Sequence, residues 1–300
     1  MHVRPRRILV TTAVVGVLAV TSACGGGGDG ESAASGSDPV ASAKATAGAA
    51  GAKKQPSPKP PETAEEFLDR AEKAMAAEKG WTFAVRGKES LVLQGQTSGA
   101  SYESTVRRTL APDAFHSTGT ITTSKGVRKP EEIFVLDGTG YVKEGTAGWK
   151  EQPASDPEMK NKVEDPVAAI AEFRSYLKES GGDVTLTRKG GEVRLQVSVS
   201  SRKLPQVRDR AYVKTAVREL TPTLKQLRSA GVSATEDQLT LSSLRQTLVL
   251  DAATYRITSH RFQFGFLIPY GAQSITFAQD VREENKGVFE GSIELPADVS

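Results

Sequence analysis

From Trp81 to Glu144 the chain runs through one strand-like segment after another with no helical segment between them, which constrains the fold more than any other feature. Trp81, Phe83 and Val85 alternate with Thr82, Ala84 and Arg86, the two-residue period of a half-buried strand. Ser90–Gln94, Tyr102–Leu110 and the β-branched stretch Phe115–Thr123 follow. Glu132–Leu136 and Tyr141–Glu144 flank Asp137-Gly138-Thr139-Gly140, a strong hairpin signal. Strands joined this closely have no room for βαβ crossovers, so an antiparallel meander is expected.

Helices punctuate the rest. Thr63 with Glu66 three residues on forms a capping box, followed by a stripe of Phe67, Leu68, Ala71, Ala74 and Met75, with Gly80 as the stop. A second helix is expected from Asp165 (N-cap) and Pro166 (first turn) to Ser180, burying Ile170, Phe173 and Leu177. Strands Val184–Arg188 and Val193–Val199 come next. Leu204–Ala230 reads as helical, with Val213, Val217, Leu220, Leu224 and Leu227 at helical spacing. Pro222 is expected to break or kink it, with Thr221 as a fresh N-cap. Strands Ser243–Leu250, Tyr255–Leu267, Ser274–Arg282 and a short Ser292–Leu295 close the chain. The class is α+β.

The N-terminus reads differently. Lys and Arg outnumber Asp and Glu by 39 to 36, and the surplus is Arg4, Arg6 and Arg7. Past residue 23 the charges balance, so the basic excess gives no support for nucleic-acid binding. The three arginines precede the apolar run Ile8–Val20 and then Thr21-Ser22-Ala23-Cys24, the pattern of a secretory signal over 1–23. A 13-residue run is too short to span a bilayer, which needs roughly 20 apolar residues. Ala23-Cys24 before a glycine run resembles the bacterial lipobox, with Thr21 where that motif usually carries Leu or Val. The resemblance implies cleavage before Cys24 and acylation of its thiol, anchoring the chain to the outer leaflet of the cell membrane on the extracytoplasmic side. Arg6-Arg7 leaves both general secretion and twin-arginine export open. With the one cysteine used, no disulfide is expected. Residues 24–61 hold no aromatic, Leu or Ile and read as a disordered tether spanning roughly 33 Å, ahead of a folded domain at 62–300.

The chemical inventory argues against an enzyme. His116 and His260 are the two histidines beyond the leader, and no zinc-ligand spacing, phosphate loop or nucleophile elbow occurs. No metal or cofactor is expected. Glu131-Glu132 and Glu283-Glu284 are adjacent carboxylates whose members face opposite ways on a strand, and both pairs read as solvated edges.

Apolar residues are concentrated on strand faces: Trp81, Phe83 and Val85 on one, Phe262, Phe264 and Phe266 on another, Ile275, Phe277 and Val281 on a third. Such a face is either covered by helices as plain core or left partly open as an apolar cavity. Trp81, Phe83, Val85, Phe262, Phe264, Phe266 and Phe277 are the candidate ligand-lining residues. The helical stretch around Pro222 is either packing or a lid.

Trp81-Thr82-Phe83-Ala84-Val85-Arg86-Gly87, Pro112-Asp113-Ala114-Phe115-His116 and Glu132-Ile133-Phe134-Val135-Leu136-Asp137-Gly138-Thr139-Gly140-Tyr141-Val142-Lys143 resemble the LolA/LppX–LprG superfamily of envelope lipoproteins. So do the turn Asp251-Ala252-Ala253-Thr254-Tyr255 and the closing Ile293-Glu294-Leu295-Pro296. The resemblance implies a curved antiparallel β half-barrel with helices on its concave face, often around a hydrophobic cavity, and carriage of a lipid or other apolar ligand. The expected state is a membrane-anchored monomer. The alternative is an envelope sensor or regulatory adaptor binding a protein partner through the same fold.

Overall fold

The computed structural model describes residues 59–163, 165–180 and 183–299. The expected signal peptide 1–23, Cys24 and the tether up to residue 58 lie outside the described residues.

The chain enters through α1 (Ala64–Ala76), started by the expected capping box: Thr63 accepts from the Glu66 N–H, and Glu66 accepts from the Thr63 N–H. Six strands follow: β1 (Gly80–Leu93), β2 (Gln96–Leu110), β3 (Asp113–Thr123), β4 (Arg128–Leu136), β5 (Thr139–Glu144) and β6 (Lys150–Pro153). Then come α2 (Pro157–Lys160), α3 (Ala169–Ser180), β7 (Thr185–Lys189), β8 (Glu192–Lys203), α4 (Ala211–Ser229), β9 (Thr240–Asp251), β10 (Ile257–Tyr270) and β11 (Gln273–Val288).

All eleven strands form one open, curved antiparallel sheet in the order β6-β5-β4-β3-β2-β1-β11-β10-β9-β8-β7, the expected half-barrel. Two meanders are sutured where β1 pairs with β11, Val85 opposite Glu283 and Leu91 opposite Phe277. The edge strands β6 and β7 are short, which limits the unpaired backbone offered to another chain. They also lie at opposite edges, so the segment between them must cross a face of the sheet, and it carries α2 and α3. Helix α3 packs between α1 and α4. Inward-facing side chains of β1 and β8–β11 join helix residues such as Phe67, Met75, Phe173, Tyr212 and Leu220 in one core. The Trp81 indole donates to the Met75 carbonyl at 2.9 Å, fastening the end of α1 to the start of β1.

Local chemistry explains the turns. Asp137 and Gly138 both take positive φ (49° and 78°) between β4 and β5, as a two-residue hairpin matched to strand twist demands. Gly87 serves close approach: a Cβ there would meet Tyr102 Cε1 at 1.8 Å, because the ring lies across the backbone.

The structure corrects several expectations. Trp81–Arg86 and Ser90–Gln94 are one 14-residue strand rather than two. Helix α1 ends at Ala76, and Gly80 opens β1 instead of stopping the helix. Helix α4 continues through Pro222, and Thr221 caps nothing; its hydroxyl donates to the Val217 carbonyl one turn back, at 2.8 Å. Ser292–Leu295 is not a strand.

Candidate functional site

The helix-covered face of the sheet carries a strip of aromatic rings. Phe262, Phe264 and Phe266 leave β10 on the same side, with adjacent centroids 5.0 and 5.9 Å apart. Phe277 of β11 lies opposite Phe266 and 5.8 Å from Phe264. Each fully buried aromatic of this size adds about 1.5–3 kcal/mol of hydrophobic stabilisation. Trp81, Phe83 and Val85 sit on the same face two strands away and are buried in the same core. Cover is uneven: Phe266 and Phe277 are 0% exposed, while Leu91, opposite Phe277 on β1, and Leu93 beyond it are only partly buried. The apolar face therefore continues past the point where cover is complete.

A polar network interrupts it. His260 keeps the parity of Phe262, Phe264 and Phe266, and Glu283 keeps that of Ile275, Phe277 and Val281, so both point inward. Register places them opposite each other, with His260 Nδ1 2.7 Å from Glu283 Oε2. Gln246 of β9 sets its Nε2 2.9 Å from His260 Nε2 and 2.7 Å from Glu172 Oε2 of α3. The Tyr176 hydroxyl donates to Gln246 Oε1 at 2.8 Å. With the Gln246 amide donating to its Nε2, His260 carries its proton on Nδ1 and donates it to Glu283. A second proton, on Nε2, would require the amide to turn over. Burial pushes the imidazole down, but Glu283, with Glu172 farther off, outweighs it and holds His260 above the ordinary histidine value. Burial, then Glu172, pushes the Tyr176 phenol up. Nearby, Asp165 pairs with Arg108; burial, opposed by Arg108 and reinforced by Glu283, keeps its carboxyl above the usual range.

Glu283 is thus no solvated edge, and the same correction applies to Glu131. Its inward side chain reaches Lys162 at 3.1 Å, and Lys162 also holds Glu144 at 2.8 Å. Burial raises Glu131 against the pull of Lys162. The outward members stay near solvent: Glu284 pairs with Arg282 and Lys286, and Glu132 lies 3.0 Å from His116 Nε2. His116 stacks on Phe134 at 4.1 Å on the opposite face. Strand parity was the available signal for Glu283 and His260, since each continues an alternating apolar row.

No protein-family model and no curated protein matches the chain. Among solved structures, it is similar to a DUF1329 family protein from Desulfovibrio piger at 6% identity and TM-score 0.29, covering 75% of this chain and 93% of that one. It is also similar to a β-barrel-like DUF1849 protein from Brucella abortus at 7% identity and TM-score 0.22, covering 70% and 100%. Likenesses this loose carry no argument, and the fold stands on its own strand order and register.

Proposed function

We propose that the protein is a non-catalytic, membrane-anchored lipoprotein that holds a lipid or other apolar ligand against the aromatic strip of its sheet. One observation carries this reading: the apolar face runs from the sealed Phe266 and Phe277 on to the half-covered Leu91 and Leu93. A plain core would end where its cover ends, whereas a binding surface needs an accessible end through which a chain can enter. The resemblance to the LolA/LppX–LprG superfamily supports the same ligand class, and acylation at Cys24 would keep the domain beside its source of lipid.

The non-catalytic part rests on the histidines. Both His260 nitrogens are engaged, by Glu283 and Gln246, so neither is available to activate a nucleophile. His116 is stacked on Phe134 and faces Glu132 on the other side of the sheet.

Organic extraction of the purified chain followed by mass spectrometry tests the proposal. A co-purifying lipid in near-stoichiometric amount is expected. An empty extract, together with a crystal structure whose core is filled from sheet to helices, would refute it.

A further inference from the structure

Glu89 faces inward on β1, in the parity of Trp81, Phe83, Val85 and Leu91, and is the one ionisable residue in that row. Its cross-strand neighbour on β11 is Gln279, whose own partner on β10 is Phe264, so Glu89 lies level with the middle of the aromatic strip. Glu219 and Thr223, one turn apart on α4, face it from the helix side. Glu219 has a partner, Arg218, at 3.0 Å. Among the described residues no lysine or arginine pairs with Glu89. Burial, reinforced by Glu219 and slightly offset by Thr223, pushes its carboxyl up to about 7. Thr223 is 1% exposed, and although its hydroxyl lies near enough to Glu89 to favour the ionised carboxylate slightly, no group among the described residues meets it at normal hydrogen-bond distance. Native interiors seldom leave a buried hydroxyl orphaned, and a ligand is one standard reason for it.

We infer that the ligand ends in a protonated amine, received by Glu89 together with Glu219 and the Thr223 hydroxyl while the apolar chain lies along Phe264 and its neighbours. This deepens the apolar-ligand reading and rests on it. An ammonium offers three N–H donors to three acceptors on two facing elements and supplies the charge that Glu89 lacks. A phosphate or carboxylate head would meet two carboxylates, and a lone hydroxyl would satisfy only one acceptor. Two carboxylates and one hydroxyl are too few oxygens for calcium, which takes six to eight.

Titration calorimetry of the full chain, first freed of co-purifying lipid on a hydrophobic exchange resin and shown by mass spectrometry to be empty, with decylamine, decanol and decanoate at about pH 8, below micelle formation, tests the inference. Decylamine is expected to bind at least about tenfold more tightly than either other probe. Glu89→Gln should bring decylamine to the level of decanol. In the unaltered protein its affinity should fall as pH drops from about 8 to about 6, because Glu89 takes up a proton while the alkylammonium stays charged. That series decides the matter even if the variant does not fold. Equal binding of the three probes, or preference for decanoate, overturns the amine assignment and leaves the apolar-ligand reading standing. Binding by none of them overturns both.

Discussion

Two polar intrusions break the same apolar face, and they are built in opposite ways. Around His260, the ring nitrogens and both polar atoms of the Gln246 amide find partners, and the network ties β9, β10 and β11 to α3. Around Glu89, farther along β1 from Val85, a carboxyl has no counter-charge among the described residues, and the Thr223 hydroxyl near it has no partner at normal hydrogen-bond distance. The two sites are roughly 13 Å apart along β1, by the rise from Val85, beside Glu283, to Glu89. A closed network stabilises only while it is whole, because each member satisfies another. An incomplete one weakens the fold and gains when something else completes it. The first is scaffold; the second is where a ligand has something to contribute.

The largest effect should come from breaking the closed network. Glu283→Ala strands a buried His260 and should cost about 3–5 kcal/mol in denaturant unfolding. Its pH dependence carries a signature. In the unaltered protein the raised His260 pKa adds stability that is fully present below about pH 6.5 and is lost as pH rises through the folded value. Without Glu283 burial dominates, the pKa falls below 6.5, and this group's contribution reverses sign, so the variant should lose further stability on acidification. A variant with an unchanged slope would show that Glu283 does not hold the imidazole's charge.

The opposite change is expected at the open site. Glu89 binds its proton more tightly when folded (about 7, against 4.5), so its ionisation destabilises the fold as pH rises through that interval. Glu89→Gln should therefore stabilise the ligand-free protein by up to about 3 kcal/mol at about pH 8 and by little at about pH 4. Equal effects at both values would mean that Glu89 titrates normally. Tyr176→Phe removes the donor to Gln246 Oε1 and should cost about 1–3 kcal/mol, measured by thermal or denaturant unfolding. The smallest effect belongs to Thr223→Val. Removing a hydroxyl that has no partner at normal hydrogen-bond distance among the described residues should be neutral or stabilising by up to about 1 kcal/mol, while weakening decylamine binding. A clear loss of stability there would mean that the hydroxyl already has a partner.

Short-range signals in the sequence carried through to the structure. The Thr63–Glu66 capping box, the Asp137-Gly138 hairpin and the Asp165-Pro166 helix start each depend on residues within four positions of one another. Readings failed where a distant element intervenes. Glu89 breaks the apolar alternation of β1, which is why the strand reads as two; its α4 partners lie more than a hundred residues on. Glu131 and Glu283 look like surface carboxylates because Lys162 and His260, which make their burial tolerable, are remote in sequence. Pro222 stays inside α4 because the helix is packed through Tyr212, Leu220 and Leu224 onto the core, and that packing outweighs the lost backbone bond.

Alternation and close spacing of strands by themselves determined that the chain folds as an antiparallel meander with an apolar face rich in phenylalanine. Period-2 patterning and turn chemistry act between near neighbours, so they can be read along a line. Only the tertiary structure decided that β1 joins β11, that α3 crosses the face between opposite edges, and which inward carboxylates are answered. A buried charge is tolerated or exploited according to what stands opposite it, and what stands opposite is fixed by packing across the whole chain.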